Sequence, residues 1–388
     1  MHIVNITSKA VKPTEIVQDI ITKVQGVYDL GIFFVSPRNK SDIEDILRGV
    51  NQSVGIKNLI GCTGAGIIST FEEVERQPAV SLVLADFPGV TIKPFVIRQP
   101  QLDGLKEPPS WYEFLDIYPN ENPVFILLPD PFNLNLNQLL SEMNRAYKNC
   151  PIIGGIASAS SEPLGNTLIA NGEFYQDGVV GVSLTGNLTV STVVSQGCRP
   201  IGETFIVTKA KENIFFEIAG KNFYEVISKV LEKASPRDKQ LAQEAIFVGI
   251  AIDEYKHGFK RGDFVIRGLM GIDEKTGAGY IGDYIQPGQT IQFHVRDAQS
   301  ATEDLNELLN QQQKNLNGKK PKGALVFSCN GRGEQLFKEK NHDINIIQTY
   351  IGAVPAGGFF CAGEIGPVGK SNFLHGFTES IALFYPKD

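Results

Sequence analysis

The sequence predicts two α/β or α+β domains, each a mixed β-sheet with flanking helices, meeting around a cleft. Its 388 residues exceed the size at which one hydrophobic core stops growing, so two domains are expected, over 1–212 and 213–388. The opening alternates helix and strand, whereas later apolar runs follow one another without room for a crossover, which is the pattern of mixed sheets. In each half an apolar run ends at a cysteine and enters a glycine-rich turn: Leu59-Ile60-Gly61-Cys62-Thr63-Gly64 and Leu325-Val326-Phe327-Ser328-Cys329-Asn330-Gly331. Later Gly-Gly pairs, Gly154-Gly155 and Gly357-Gly358, precede a closing apolar strand in each half. This order reads as a duplicated fold rather than a solenoid.

Residues 13–28 carry Ile16, Ile20, Ile21 and Val24 at helical spacing, with Thr14 as a cap. Leu30-Gly31-Ile32-Phe33-Phe34-Val35 is a buried strand, and Ser41-Asp42-Ile43-Glu44 opens a helix with a capping box. Strands follow at 80–84 and 89–95. Residues 98–114 are polar and proline-broken and read as a surface loop from which Trp111 packs inward. Then come a strand at 124–128, a helix at 134–147, and a strand from Pro151 into Gly154-Gly155. Residues 178–184 and 189–195 form a hairpin signal across Thr185-Gly186-Asn187. Beyond Lys211 a helix at 222–232, a proline break at Pro236 and strands 245–252, 263–271, 279–281 and 290–296 suggest an antiparallel meander. A helix at 298–310, a helical stretch at 334–340 and strands 323–329 and 379–385 complete the chain.

Composition narrows the function. A formal charge of −7 and a pI near 5.4 offer no basic face for a phosphate backbone, so nucleic acid is not an expected partner. No run reaches the length of a membrane span, and the N-terminus has no secretory pattern. The five cysteines are scattered and form no metal-binding or redox pair, which fits free thiols in the cytoplasm and no metal or cofactor.

Several segments together resemble one family: Gly61-Cys62-Thr63-Gly64, Gly154-Gly155-Ile156-Ala157-Ser158, Gln196-Gly197-Cys198-Arg199-Pro200-Ile201-Gly202, Arg296-Asp297-Ala298, Cys329-Asn330-Gly331-Arg332-Gly333 and Gly363-Glu364-Ile365-Gly366-Pro367. In this order the chain resembles a FIST protein (F-box and intracellular signal transduction) over nearly its whole length. The resemblance implies a FIST N-terminal and a FIST C-terminal domain, and a sensory module that binds small ligands such as amino acids and serves a signalling partner.

The residues themselves point to ligand binding rather than catalysis. Bare backbone at Cys62, Thr63, Gly64, Gly154, Gly155, Cys329, Asn330 and Gly331 is expected to donate N–H groups to an anionic group. Arg296 precedes a helix near Ala298 and shares a strand face with His294, so its fork and the helix end can converge on a carboxylate; an Arg296–Asp297 or Arg296–Glu364 structural pair is the alternative. Arg332 adds a cation near Cys329, and Glu364 is placed to accept an ammonium. Cys329 beside these donors is the alternative nucleophile of an enzyme of unknown substrate, and a protein-interaction scaffold is a third reading. His2, His257 and His342 read as surface residues.

Overall fold

The structure, a computed structural model, describes residues 1–256, 258–316 and 318–387; His257 lies outside them. The chain divides into two compact units. Unit 1 takes Met1–Val194, Asn306–Leu374 and the chain from Glu379, and unit 2 takes Ser195–Leu305 and His375–Thr378.

Unit 1 contains three six-stranded mixed sheets built on one plan. A strand, a helix and a second strand parallel to the first are followed by an antiparallel third. In the first repeat these are Leu30–Val35, helix Ile43–Asn51, Leu59–Thr63 and Val80–Asp86. The second uses Val124–Pro129, helix Leu136–Ala146, Ile152–Gly155 and Val179–Gly186. The third uses Gly323–Cys329, helix His342–Ile351, Ala356–Cys361 and Thr378–Pro386. The parallel pair needs the intervening helix because a tight turn cannot return a strand in the same direction.

Each repeat also sends a hairpin into a sheet other than its own. Gly66–Ile68 with Glu73–Glu75 joins the third sheet, and Leu168–Ala170 with Glu173–Tyr175 joins the first. Glu364–Val368 with Ser371–His375 joins the second. The exchange ties the three sheets into one core, in which Phe34 stacks on Phe359 at 5.1 Å and Phe327 meets both edge-on.

One glycine recurs at the same register of all three parallel pairs. Gly61 lies opposite Phe33, Gly154 opposite Leu127 and Gly358 opposite Val326. A Cβ there would come to 2.3, 1.9 and 1.7 Å of the facing carbonyl oxygen, so no side chain fits without moving backbone. The repeated glycine motif of the sequence is thus a packing requirement, met three times in unit 1.

Unit 2 is an antiparallel sheet that closes on itself. Cys198–Lys211 pairs through its first half with Thr290–Arg296 and through its second with Ile214–Ile218. Ile246–Ala251, Phe264–Ile272 and Gly279–Ile281 form a meander that completes the ring, but Thr290–Arg296 does not continue it as expected and returns instead beside Ile246–Ala251. Helix Phe223–Lys233 packs Phe223, Val226, Ile227 and Val230 into its core.

Four local expectations change. The first helix is shorter, Pro13–Ile21, with Pro13 in its first turn and Lys12 rather than Thr14 as its cap. Ser41–Glu44 forms no capping box, because a 3-10 turn over Pro37–Asp42 already leads into the helix. Residues 98–114 are not a loop but two helices, Gln99–Gly104 and Pro108–Leu115; their prolines sit in the first turn, where no N–H is needed, and Trp111 donates Nε1–H to Leu105 at 2.6 Å. Val179–Gly186 and Leu188–Gln196 do not pair as a hairpin: they enter different sheets after Gly186 turns at φ +110°.

Candidate functional site

The strand ends at Cys62–Gly64, Gly154–Ser158 and Phe360–Gly363 meet within unit 1. Ala65 N–H donates to Phe360 and to Ser158 Oγ, Ser158 N–H to Thr63, Ile156 N–H to Gly363 and Ala362 N–H to Ile156. Three equivalent strands therefore end at one junction. The junction is full, however. Gly64 is backed by the Phe359 ring, Gly155 by Cys361 and Phe359, and Cys62, Thr63, Gly64, Gly154 and Gly155 are buried. Thr63 N–H donates to Thr167 and Gly64 N–H to Val35. The expected bare amides are thus spent inside the protein, since a missing Cβ serves close packing of backbone as readily as approach by a ligand.

The C-terminal candidates belong to a buried charge cluster in unit 1. Arg332, wholly withdrawn from solvent, grips Asp343 through Nε–Oδ2 at 2.7 Å and Nη2–Oδ1 at 2.9 Å, and lies 3.3 Å from Glu379. Asn330 is exposed, but its N–H donates to Cys361; Gly331 is half-buried. Burial alone would raise the Asp343 carboxyl, and the guanidinium reverses this and holds it below the usual carboxylate range. Glu73 accepts the Ile344 N–H at 2.7 Å and Glu75 the Glu334 N–H at 2.8 Å, so one hairpin strand anchors two helix starts. Burial, joined by repulsion from Asp343, pushes Glu73 up to about 8; the same two causes raise Glu379.

Glu364 is buried on a strand opposite Gly155 and faces the Cys361 thiol at 3.5 Å. Burial raises the Cys62 and Cys361 thiols well above their ordinary value. Cys329 is only 6% exposed, and the cation expected to activate it is held by carboxylates. His342 is buried, stacked on Phe337 at 3.5 Å with Nδ1 2.9 Å from Asp343.

In unit 2, Arg296 is half-buried with its guanidinium 5.4 Å from the Phe377 ring. The helix start beside it is already capped. Asp297 accepts the N–H groups of Gln299 and Ser300 and is paired with Arg199 at 2.6 Å and Arg237 at 2.9 Å. His294 does not share an open polar face: it is fully buried, which pushes it down to about 4.

An open cleft of about 500 Å³ lies elsewhere in unit 1. It sits beyond the carboxyl ends of Leu30–Val35 and Leu59–Thr63, where open α/β sheets bind their ligands. Lys40 and Ser41 come from the turn after the first strand, Arg98 follows strand Val90–Ile97, and Tyr175 and Asp177 come from the hairpin received from the second repeat. Arg98 is set 3.0 Å from Asp177 and 5.5 Å from the Tyr175 ring, and Lys40 donates to Gly165. Thr167 on the cleft wall donates its N–H to Thr63 Oγ1 at 2.9 Å, which joins the buried junction to the cleft. Sequence reasoning missed the cleft because its cations and carboxylates lie far apart along the chain and carry no motif.

The FIST N domain matches residues 29–221 and the FIST C domain residues 224–367. The chain belongs to the FIST family. It is 37% identical over 360 residues to an uncharacterized protein of Mycobacterium tuberculosis strain H37Rv, covering 92% of each chain. It is also 36% identical over 359 residues to an uncharacterized protein of Mycobacterium bovis, covering 92% of this chain and 90% of that one. A more distant match, 24% over 216 residues, is an uncharacterized protein of Methanocaldococcus jannaschii, covering 54% of this chain and 42% of that one. FIST domains are associated with signal transduction. Among the described residues of this FIST protein, no helix is long and apolar enough to cross a membrane.

Proposed function

We propose that this FIST protein is an intracellular sensory protein that binds an amino acid or a related small carboxylate in the unit 1 cleft, and that a signalling partner reads the bound state. The reading rests on one observation: Lys40 and Arg98 stand with Asp177 around about 500 Å³, so opposite charges face a space of ligand size. Lys40 and Arg98 take the ligand carboxylate, and Asp177 takes its ammonium. Charge-assisted bonds of about 1.5–3 kcal/mol each suffice to orient so small a molecule. Thr63, which accepts the Thr167 N–H, supports this cleft from within.

A thermal-shift panel of amino acids and small carboxylates tests the proposal. A true ligand at 100 times its dissociation constant adds about 2.7 kcal/mol of stability. A panel in which no compound moves the melting temperature overturns it. The cysteine-dependent enzyme is the weaker reading, because Cys329 is enclosed and its neighbouring guanidinium is engaged by Asp343.

A further inference from the structure

A second opening lies within unit 2, between strand Cys198–Lys211 and helix Phe223–Lys233, and encloses about 880 Å³. Its floor is apolar. Phe205 and Ile206 come from the strand and Val226 and Val230 from the helix, one turn apart; Ile206 is 56% exposed. Gly202, at φ +68° in a bulge of the strand, lets the helix approach, since a Cβ there would meet Val230 at 2.9 Å.

The rim is cationic. Lys221 stands just before the helix, Lys229 is on its second turn and Lys233 is its last residue, and all three line the opening. All three are exposed, and none forms an ion pair with a described residue. Glu203 is the one acidic residue of the lining. The cations are spread along the opening instead of gathered at one point, over about 16 Å of helix at about 1.5 Å per residue. A single acyl carboxylate has one anionic head and would leave the other lysines unanswered. An extended chain covers the same length with about five residues at about 3.3 Å each and presents alternate side chains to opposite sides.

We infer that this groove of unit 2 docks an acidic, amphipathic peptide segment of a partner protein, with its apolar side chains on Ile206, Val226 and Val230 and its carboxylates on Lys221, Lys229 and Lys233. The site is separate from the ligand cleft of unit 1, and its test does not depend on that reading.

Fluorescence polarisation with the full chain and a labelled Glu-Leu-Glu-Phe-Glu-Leu-Glu peptide tests it. Saturable binding is expected, weakened at least tenfold by Lys229→Glu with Lys233→Glu and again, independently, by Ile206→Ser. An all-acidic control peptide with serine in place of the apolar residues is expected to bind at least tenfold more weakly. Circular dichroism confirms that the variants keep their fold; because all three substituted positions are exposed, no loss of structure is expected. No saturable binding, equal binding of the control peptide, or equal binding by both variants overturns the inference. Saturable binding of laurate with none of the peptide also overturns it and makes the groove a fatty-acid site.

Discussion

Arg332 and Asp343 form a two-point ion pair, at 2.7 and 2.9 Å, with both side chains out of reach of solvent. Removing Asp343 leaves the buried guanidinium with Glu379, a carboxyl that burial holds toward its neutral form, as its remaining acidic partner. Asp343→Ala is therefore expected to lower the unfolding free energy by about 3–5 kcal/mol, read by chemical denaturation. A loss below about 1 kcal/mol, the range of surface pairs, would show that the pair is solvated.

Glu73 gives the fold a pH dependence of defined sign. Its carboxyl lies near 8 in the folded chain against 4.5 ordinarily, so the folded state holds the proton more tightly. The stability it contributes is present at low pH and is lost as pH rises through about 8, and Glu379 acts in the same direction. Melting temperature is expected to fall as pH rises from 4.5 to about 8, and Glu73→Gln, which keeps an acceptor for Ile344, is expected to flatten that slope. An unchanged slope in the variant would assign the effect to other groups.

His294 acts on the acid side. Burial holds its imidazole neutral down to about 4, from 6.5 ordinarily. A depressed value means stability that is present above 6.5 and lost as pH falls toward 4. The ring is expected to titrate near 4 by nuclear magnetic resonance in the native protein; a midpoint near 6.5 would place it in water.

The three register glycines separate packing from backbone freedom. Gly61→Ala and Gly358→Ala, at positions without a positive φ, force a methyl onto a facing carbonyl and are each expected to cost about 3 kcal/mol, the upper end for overpacking, or to prevent folding. Gly268, with open space where its Cβ would go and no positive φ, is the control. Gly268→Ala is expected to change stability by under about 1 kcal/mol, measured by thermal melts. Comparable losses at all three sites would contradict the packing explanation.

These residues also show what the sequence made legible. Buried strands such as Leu30–Val35 and Gly323–Cys329 follow from their continuous apolar runs, and the strands after Ala245 from their spacing, though not the return of Thr290–Arg296 beside Ile246–Ala251. The glycine turns are legible in the sequence but their role is not, because backbone packing and ligand approach both demand the absence of a Cβ. The threefold plan was hidden by hairpin exchange, which sends neighbouring strands into different sheets. Arg332 shows in the turn after Cys329, but its partners Glu73, Asp343 and Glu379 carry no local pattern; only the third sheet, with the hairpin it receives, unites them. The same holds for Lys40, Arg98 and Asp177 around the cleft.

Isothermal titration calorimetry of the strongest ligand from the amino-acid and carboxylate panel, against the wild-type chain and Lys40→Ala with Arg98→Ala, reads the cleft most directly. Arg98 is exposed and Lys40 half-buried at the cleft edge, so the double variant is expected to fold and to bind at least tenfold more weakly, the consequence of losing about 1.4 kcal/mol or more. Unchanged affinity in the double variant would place the ligand elsewhere and remove the cleft from the sensory role.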